Sequence, residues 1–421
     1  MKILLKSILI LYLLMGSNMN SNAQKTDRVI LFMIDGLHWQ APSKIKMPNF
    51  NTLIKEGTYI EKAYVIIPHH PTIGDYSSYN SCSFPNPMLH AGTVFIKPEN
   101  KFIQEMISPE RQSAFVVNTA AYRSVSRGFT TKIMNPKLTD EEVVEQSISL
   151  LKYQDPAFMR VHLQSTGELG RSVSVCSPEE TYFRNIFGDG SPYVKGIENA
   201  DKLLGKLISY LKKSGKWEDT TLIVTSDHGQ SIVGWHPMYE EDSWITPLVF
   251  AGKGIAKKRE LSYFEHTNLA PTIAWLLDVN KPNKDGGSGE AIIEIYKNYP
   301  LRKTQYNTNI KTINEQIKAF NFYKSSLILQ SKEKPYYNVV LASLENEFLT
   351  PEPFYHQDRI TDWYKAKSVS QMIEANNKIL LLIKKELEVL IHGVLCLLLV
   401  NLITTRRPKF EKYKNLIFVG I

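Results

Sequence analysis

Two acidic residues and a histidine stand where apolar runs of this chain stop. Val29–Gly36 reads VILFMIDG and Leu222–Gly229 reads LIVTSDHG, so Asp35, Asp227 and His228 each close a run of apolar and β-branched residues. Carboxylate oxygen is a hard ligand and imidazole nitrogen a borderline one, a set that suits Zn²⁺, or Mg²⁺ and Ca²⁺ where oxygen dominates. Between the two runs lies a hydroxyl residue, Thr72 of Pro71–Thr72, followed by Phe84–Pro85. One D-G or D-H-G carries little information, because Asp is common as a helix N-cap after a strand. Two such run ends with a hydroxyl between them are far more specific.

The elements that would position these residues are strands. Neither run alternates, so each reads as a strand buried on both faces of a parallel sheet. In open α/β sheets the ligand sits beyond the carboxyl ends of the strands, where Asp35, Asp227 and His228 would lie. From Arg28 to about Asn283 the chain alternates strands and helices, with further strands at Ala114–Asn118, Phe158–Leu163 and Ile245–Gly252. Glu198–Lys213 has the 3.6-residue period of an amphipathic helix, and Gly215 follows where a C-cap glycine sits. Leu269–Leu277 reads as a helix, and Pro282–Gly289 as the loop that closes the domain.

In order and spacing these motifs resemble those of the alkaline phosphatase superfamily, most closely its nucleotide pyrophosphatase/phosphodiesterase branch. The likeness rests on Ile34-Asp35-Gly36, on Thr72 thirteen residues before Pro85 with Phe84 as the aromatic, and on His90-Ala91-Gly92. It continues with Ser226–Gly229, with His236 ahead of Pro247–Gly252, and with Glu265–Leu277, and it covers roughly residues 28–290. The resemblance implies a three-layer α/β/α sandwich with a mostly parallel central sheet, to which the sequence adds a C-terminal helical extension. It implies a divalent metal held by Asp35, Thr72, Asp227 and His228, zinc first, with Mg²⁺, Mn²⁺ or Ca²⁺ as alternatives. The metal would lower the pKa of the Thr72 hydroxyl for in-line attack on a small anionic phosphoric ester, leaving a covalent phospho-threonine for water to hydrolyse.

The chain departs from the family at the second metal. Two-metal members carry Asp and His where VHLQSTGELG has Gln164 and Glu168. With His236 these would make a weaker site that favours harder cations, or the centre is mononuclear. Gly74 and Asp75 stand where diesterases have an asparagine, and Asp75 would repel a dianionic substrate unless a cation meets it. Three alternatives follow: a sulfate- or phosphono-ester hydrolase, a phosphoethanolamine-type transferase, and a non-catalytic anion-binding member. Cys82 is followed by Ser83, Phe84, Pro85 and Asn86, so the sulfatase C-x-P-x-R signature is absent. His69, His70, Arg123, Arg127 and Arg171 could meet an anion, and His266 reads as structural.

Composition sets the remaining bounds. A hydrophobic content of 43% with 22% charged residues excludes disorder of the whole chain, and dispersed lysines at a net charge of +8 give no nucleic-acid surface. Residues 1–23 read as a signal peptide, with cleavage after Ala23. The catalytic domain would span residues 24–290 and an extension of unassigned role residues 291–378. Residues 379–405 form a candidate transmembrane helix, and residues 406–421 carry Arg406, Arg407, Lys409, Lys412 and Lys414. This order predicts an exported protein on the periplasmic face of the inner membrane, held there by its C-terminal helix with the basic tail inside. Pairing of Cys82 with Cys176 is left open.

Overall fold

A computed structural model describes residues 26–65, 76, 78–82, 99–236, 240–283, 290–301, 388–389 and 391–401. Outside these lie the expected signal segment, Thr72, Asp75, the His90-Ala91-Gly92 motif, residues 302–387 and the basic tail.

The apolar runs are strands. β1 (Arg28–Ile34), β5 (Phe158–Leu163) and β6 (Thr220–Thr225) are buried at every residue. β1 lies between the other two and runs parallel to both, with Met33 level with His162 on one side and Thr225 on the other. The same register brings the carboxyl ends of all three strands to one edge, where the Asp35 amide donates to the Leu163 carbonyl at 3.0 Å. Beyond β5 follow β3 (Ser113–Val117) and β4 (Thr131–Met134), both parallel. Beyond β6, β7 (Ile245–Gly252) and β2 (Thr58–Tyr64) run antiparallel to each other, β7 is antiparallel to β6, and β8 (Arg259–Glu260) and β9 (Phe264–Glu265) pair with β2. The sheet is therefore mixed, with its parallel part around β1.

Alternate residues of β1 face two cores, which makes three layers. Val29, Leu31 and Met33 pack with α6 (Leu269–Leu277) and with Tyr76 and Tyr79. Ile30, Phe32 and Ile34 pack with apolar residues of α2 (Pro48–Glu56, after the short α1 at Ala41–Lys44), α3 (Asp140–Tyr153) and α5 (Pro192–Lys213). α5 begins six residues before the expected Glu198, because Pro192 fits the first turn, where no amide partner is needed. Gly215 adopts φ +75°, the left-handed conformation that stops the helix. α3 starts at a capping box in which the Thr139 side chain accepts from the Glu142 amide and the Glu142 carboxylate accepts from the Thr139 amide. α4 (Ser165–Ser174) begins directly after Gln164, above the carboxyl end of β1.

Residues 388–389 and 391–401 belong to a separate unit and are helical and almost wholly exposed. Among the described residues no helix is long and apolar enough to cross a membrane. Among the described residues Cys82, Cys176 and Cys396 form no disulfide with one another.

Candidate metal centre

Asp35, Asp227 and His228 come together at the edge where β1 and β6 end. One ligand atom from each lies within 4.8 Å of the others, and all three side chains are buried. The turns that present them are tied to each other. The Ser226 hydroxyl accepts from the Leu37 amide at 3.0 Å and donates to the His228 carbonyl at 2.6 Å. His228 Nδ1 lies 2.8 Å from the Gly229 carbonyl, which only accepts, so that nitrogen carries the proton. Nε2 then turns its lone pair towards Asp227 Oδ2 at 3.5 Å and Asp35 Oδ1 at 3.8 Å.

Two buried carboxylates and an imidazole lone pair facing one another repel unless a cation or a proton lies among them. Burial, followed by the Asp227 charge, holds the Asp35 carboxyl well above its usual pKa. Burial opposes ionisation of Asp227 too, but His228, His162 and Arg160 outweigh it and hold that carboxyl below its usual range. This donor set fits a divalent cation of the borderline-to-hard class.

The surroundings are phenols and amides. The Tyr76 hydroxyl donates to Asp227 Oδ2 at 3.3 Å. The Tyr122 hydroxyl lies 2.5 Å from Gln164 Oε1 and 3.2 Å from Asp35 Oδ2, and Gln164 Nε2 donates to Asp35 Oδ2 at 2.8 Å. Burial keeps both phenols protonated, helped at Tyr122 by the charges of Asp35 and Asp227. Gln164, expected as a second-site ligand, thus has its amide oxygen against Tyr122 and its amide nitrogen on Asp35. Glu168 points to solvent with its side chain 61% exposed and pairs with Arg171 at 3.6 Å. The His236 ring lies 4.0 Å from that of His228 and stacks on Trp235 at 4.1 Å. Among the described residues, then, His236 approaches the centre through His228, while Gln164 and Glu168 face different partners.

Other candidates have local roles. Arg127 pairs with Glu105 at 3.1 Å, Arg171 lies over Trp235 at 5.2 Å, and Arg123 is exposed. His266 shares a 3.0 Å contact with the Thr246 hydroxyl, as a structural histidine does. Tyr76, Tyr122, Arg160 and His162 are absent from the sequence-based set. Only the last two leave a trace in the sequence, as polar residues at alternate positions of an otherwise apolar strand.

Gly167 lets α4 come this close. A Cβ there would lie 1.8 Å from Asp35 Oδ1, the oxygen that faces His228. Gly167→Ala is expected to displace the Asp35 carboxylate and weaken metal binding by about tenfold or more, the range seen when a ligand's support is disturbed. Titration with Mn²⁺ checks this, and unchanged affinity would mean that the carboxylate can bind from elsewhere.

The β1 exit loop carries a second buried histidine. His38 Nδ1 accepts the Gln40 amide at 2.9 Å, so its proton lies on Nε2, 3.5 Å from Asp242 Oδ2. Burial lowers its pKa below 6.5 although Asp242 pulls the other way. A lowered pKa means that the unfolded ring takes up the proton first, so this contribution is full above 6.5 and is lost as pH falls. Wild type should lose up to about 1.4 kcal/mol per pH unit below pH 6.5 that His38→Gln does not lose. Urea denaturation of both proteins at pH 7.5 and pH 5.5 measures the difference, and parallel slopes would contradict it.

The sequence profile of the Sulfatase family matches residues 90–279. A multifunctional alkaline phosphatase superfamily protein, PehA of Trinickia caryophylli, is 35% identical over 88 residues, 19% of this chain and 17% of that protein. Ectonucleotide pyrophosphatase/phosphodiesterase family member 5 of Homo sapiens is 22% identical over 241 residues, 52% of this chain and 48% of that protein. The chain thus spans less than half the length of either relative. Among solved structures, the phosphonate monoester hydrolase of Agrobacterium radiobacter superposes with a TM-score of 0.54 at 15% identity, covering 66% of this chain and 79% of that one. That likeness is one of fold. In fold and in its sequence matches the chain is similar to proteins of the alkaline phosphatase superfamily, among them a nucleotide pyrophosphatase/phosphodiesterase.

Proposed function

We propose that this protein is a metal-dependent hydrolase of small anionic phosphoric esters, with Asp35, Asp227 and His228 as ligands and Thr72 as nucleophile. The observation that carries this reading is the buried Asp35–Asp227–His228 group at the carboxyl ends of β1 and β6. A divalent ion there supplies Lewis acidity and lowers the pKa of a hydroxyl. The chain's residues do the rest. Asp35 and Asp227 offer oxygens of fixed direction, and His228 offers the Nε2 lone pair because Gly229 holds its other proton. The buried phenols of Tyr76 and Tyr122 hold Asp227 and Asp35 from the inner side of the site. Thr72 is supported by its place in the chain, four residues before Tyr76, whose hydroxyl donates to Asp227. Attack by Thr72 Oγ1 would form the Thr–phosphorus bond as the leaving alkoxide departs, and water would then release phosphate or its monoester.

A single tight ion is the stronger form of this reading, since Gln164 is engaged with Tyr122 and Asp35 while Glu168 is exposed. The sulfatase-family match keeps a sulfate- or phosphono-ester substrate as the second reading. Assays with p-nitrophenyl phosphate, bis-p-nitrophenyl phosphate and p-nitrophenyl sulfate under added Zn²⁺, Mg²⁺, Mn²⁺ or Ca²⁺ separate them. Phosphoester turnover that EDTA abolishes is expected. Turnover of the sulfate alone would transfer the assignment, and no turnover with any metal would favour an anion-binding protein. The N-terminal segment 1–23 supports export, with residues 379–405 as the anchor. Cell fractionation tests both, through the mass of the mature chain and its release by detergent rather than by salt.

A further inference from the structure

We propose that Arg160 and His162, on β5, are a buried positioning pair that makes Asp35 a one-oxygen ligand by fixing the His162 proton on Nε2. The proposal rests on the metal reading above. Both side chains are fully buried and, two residues apart, project from the same face of the strand. The Arg160 guanidinium is surrounded by rings, 4.4 Å from Phe115, 4.9 Å from Tyr79, 5.1 Å from Tyr76 and 5.7 Å from Tyr122. Its Nε and Nη1 have no hydrogen-bond partner, and no carboxylate pairs with it among the described residues. Among the described residues its one hydrogen-bonding contact is with His162 Nδ1, 3.1 Å from Nη2.

A guanidinium has five N–H donors and no lone pair to offer. His162 Nδ1 must therefore accept, and the ring's proton is left on Nε2. That nitrogen lies 3.4 Å from Asp35 Oδ2, facing the carboxylate without forming a hydrogen bond to it. Gln164 Nε2 donates to the same oxygen at 2.8 Å, and Tyr122 lies within reach at 3.2 Å, although its single proton is closer to Gln164. N–H groups are gathered on the Oδ2 side, while Oδ1 faces His228 and the gap left by Gly167. Oδ2 thus accepts the Gln164 N–H and faces the His162 N–H, and Oδ1 keeps its lone pairs for a cation. The tautomer also excludes His162 from the ligand set. One ring nitrogen is turned to a cation, and the other already carries hydrogen. This is the arrangement by which the partners of a ligand set its direction and basicity.

The test uses the full chain and Mn²⁺ alone, with affinity read from the electron paramagnetic resonance signal of free Mn²⁺. His162→Leu should raise Kd by about 10- to 100-fold, whereas His162→Gln, whose amide can present an N–H to Asp35 as the imidazole does, should stay within about threefold of wild type. A His162→Leu protein that folds and binds Mn²⁺ as tightly as wild type would overturn the proposal. Should either variant fail to fold, the metal-free wild type still decides. Long-range ¹H–¹⁵N spectra of its imidazoles should contain a ring in the Nε2–H form that Arg160→Lys shifts. A Nδ1–H or doubly protonated His162 would overturn the proposal independently of any metal. Wild type that binds no Mn²⁺ would instead refute the metal reading and leave the tautomer result to judge the pair.

Discussion

Asp35→Asn should abolish stabilisation by metal while leaving the metal-free protein as stable as its parent, or more so. The substitution keeps the shape and leaves an amide oxygen to accept from Gln164, so little packing is lost. It removes one of two like charges whose ligand atoms lie within 4.8 Å, a repulsion on the order of 3 kcal/mol at an effective dielectric of about 20. Protonation of Asp35 already relieves part of it. A raised carboxyl pKa lowers stability as pH rises above the unfolded value near 3.8, and the penalty is absent below that. The advantage of Asp35→Asn should therefore be largest near pH 8 and vanish towards pH 4. Wild type, by contrast, should gain about 2.7 kcal/mol from metal at a hundredfold excess over Kd, and the variant none. Thermal unfolding with and without metal at both pH values measures all of this. An equal metal-induced rise in the two proteins would remove Asp35 from the centre.

Thr72→Ala should reduce turnover by about a thousandfold or more, with the melting temperature nearly unchanged. Loss of the nucleophile removes the covalent route altogether, whereas loss of a single hydroxyl should change folding little. A variant that keeps more than about a tenth of wild-type activity has lost less than about 1.4 kcal/mol of transition-state stabilisation. Thr72 would then be a neighbour of the reaction and another group its nucleophile.

The parts of the fold legible in the sequence are those decided by local pattern. β5, β7 and α6 occupy the ranges that their apolar runs predict, because a strand or helix buried all round has no polar face to blur its limits. β2 escapes that reading, since its sequence TYIEKAY mixes buried and exposed positions at the sheet's antiparallel end. The reversed direction of β7 is also hidden, because it depends on how the chain crosses the sheet rather than on any residue within the strand. α3 had a local signal, the Thr139–Glu142 capping box.

The site divides the same way. Asp35, Asp227 and His228 are legible because each ends a buried strand, and the parallel register does the rest. Gln164 is legible as a residue of the site but not in its role. That role is set by Tyr122, which the chain brings back from 42 positions away. His162 and Arg160 read as misplaced polar residues until the aromatic rings of Tyr76, Tyr79, Phe115 and Tyr122 are assembled around the guanidinium. Glu168 has the right chemistry for a ligand, but the turn of α4 directs it to solvent beside Arg171.

The most direct test of the metal centre is metal content per chain in wild type and Asp227→Asn, each stripped with a chelator, reloaded with Zn²⁺ or Mn²⁺ and dialysed. Asp227 is buried, touches both other ligands' surroundings and contributes a full charge, so its neutral variant cannot replace it. One equivalent in wild type and none in Asp227→Asn is the expected result. An equivalent retained by Asp227→Asn, or none held by wild type, would contradict a metal centre at Asp35, Asp227 and His228.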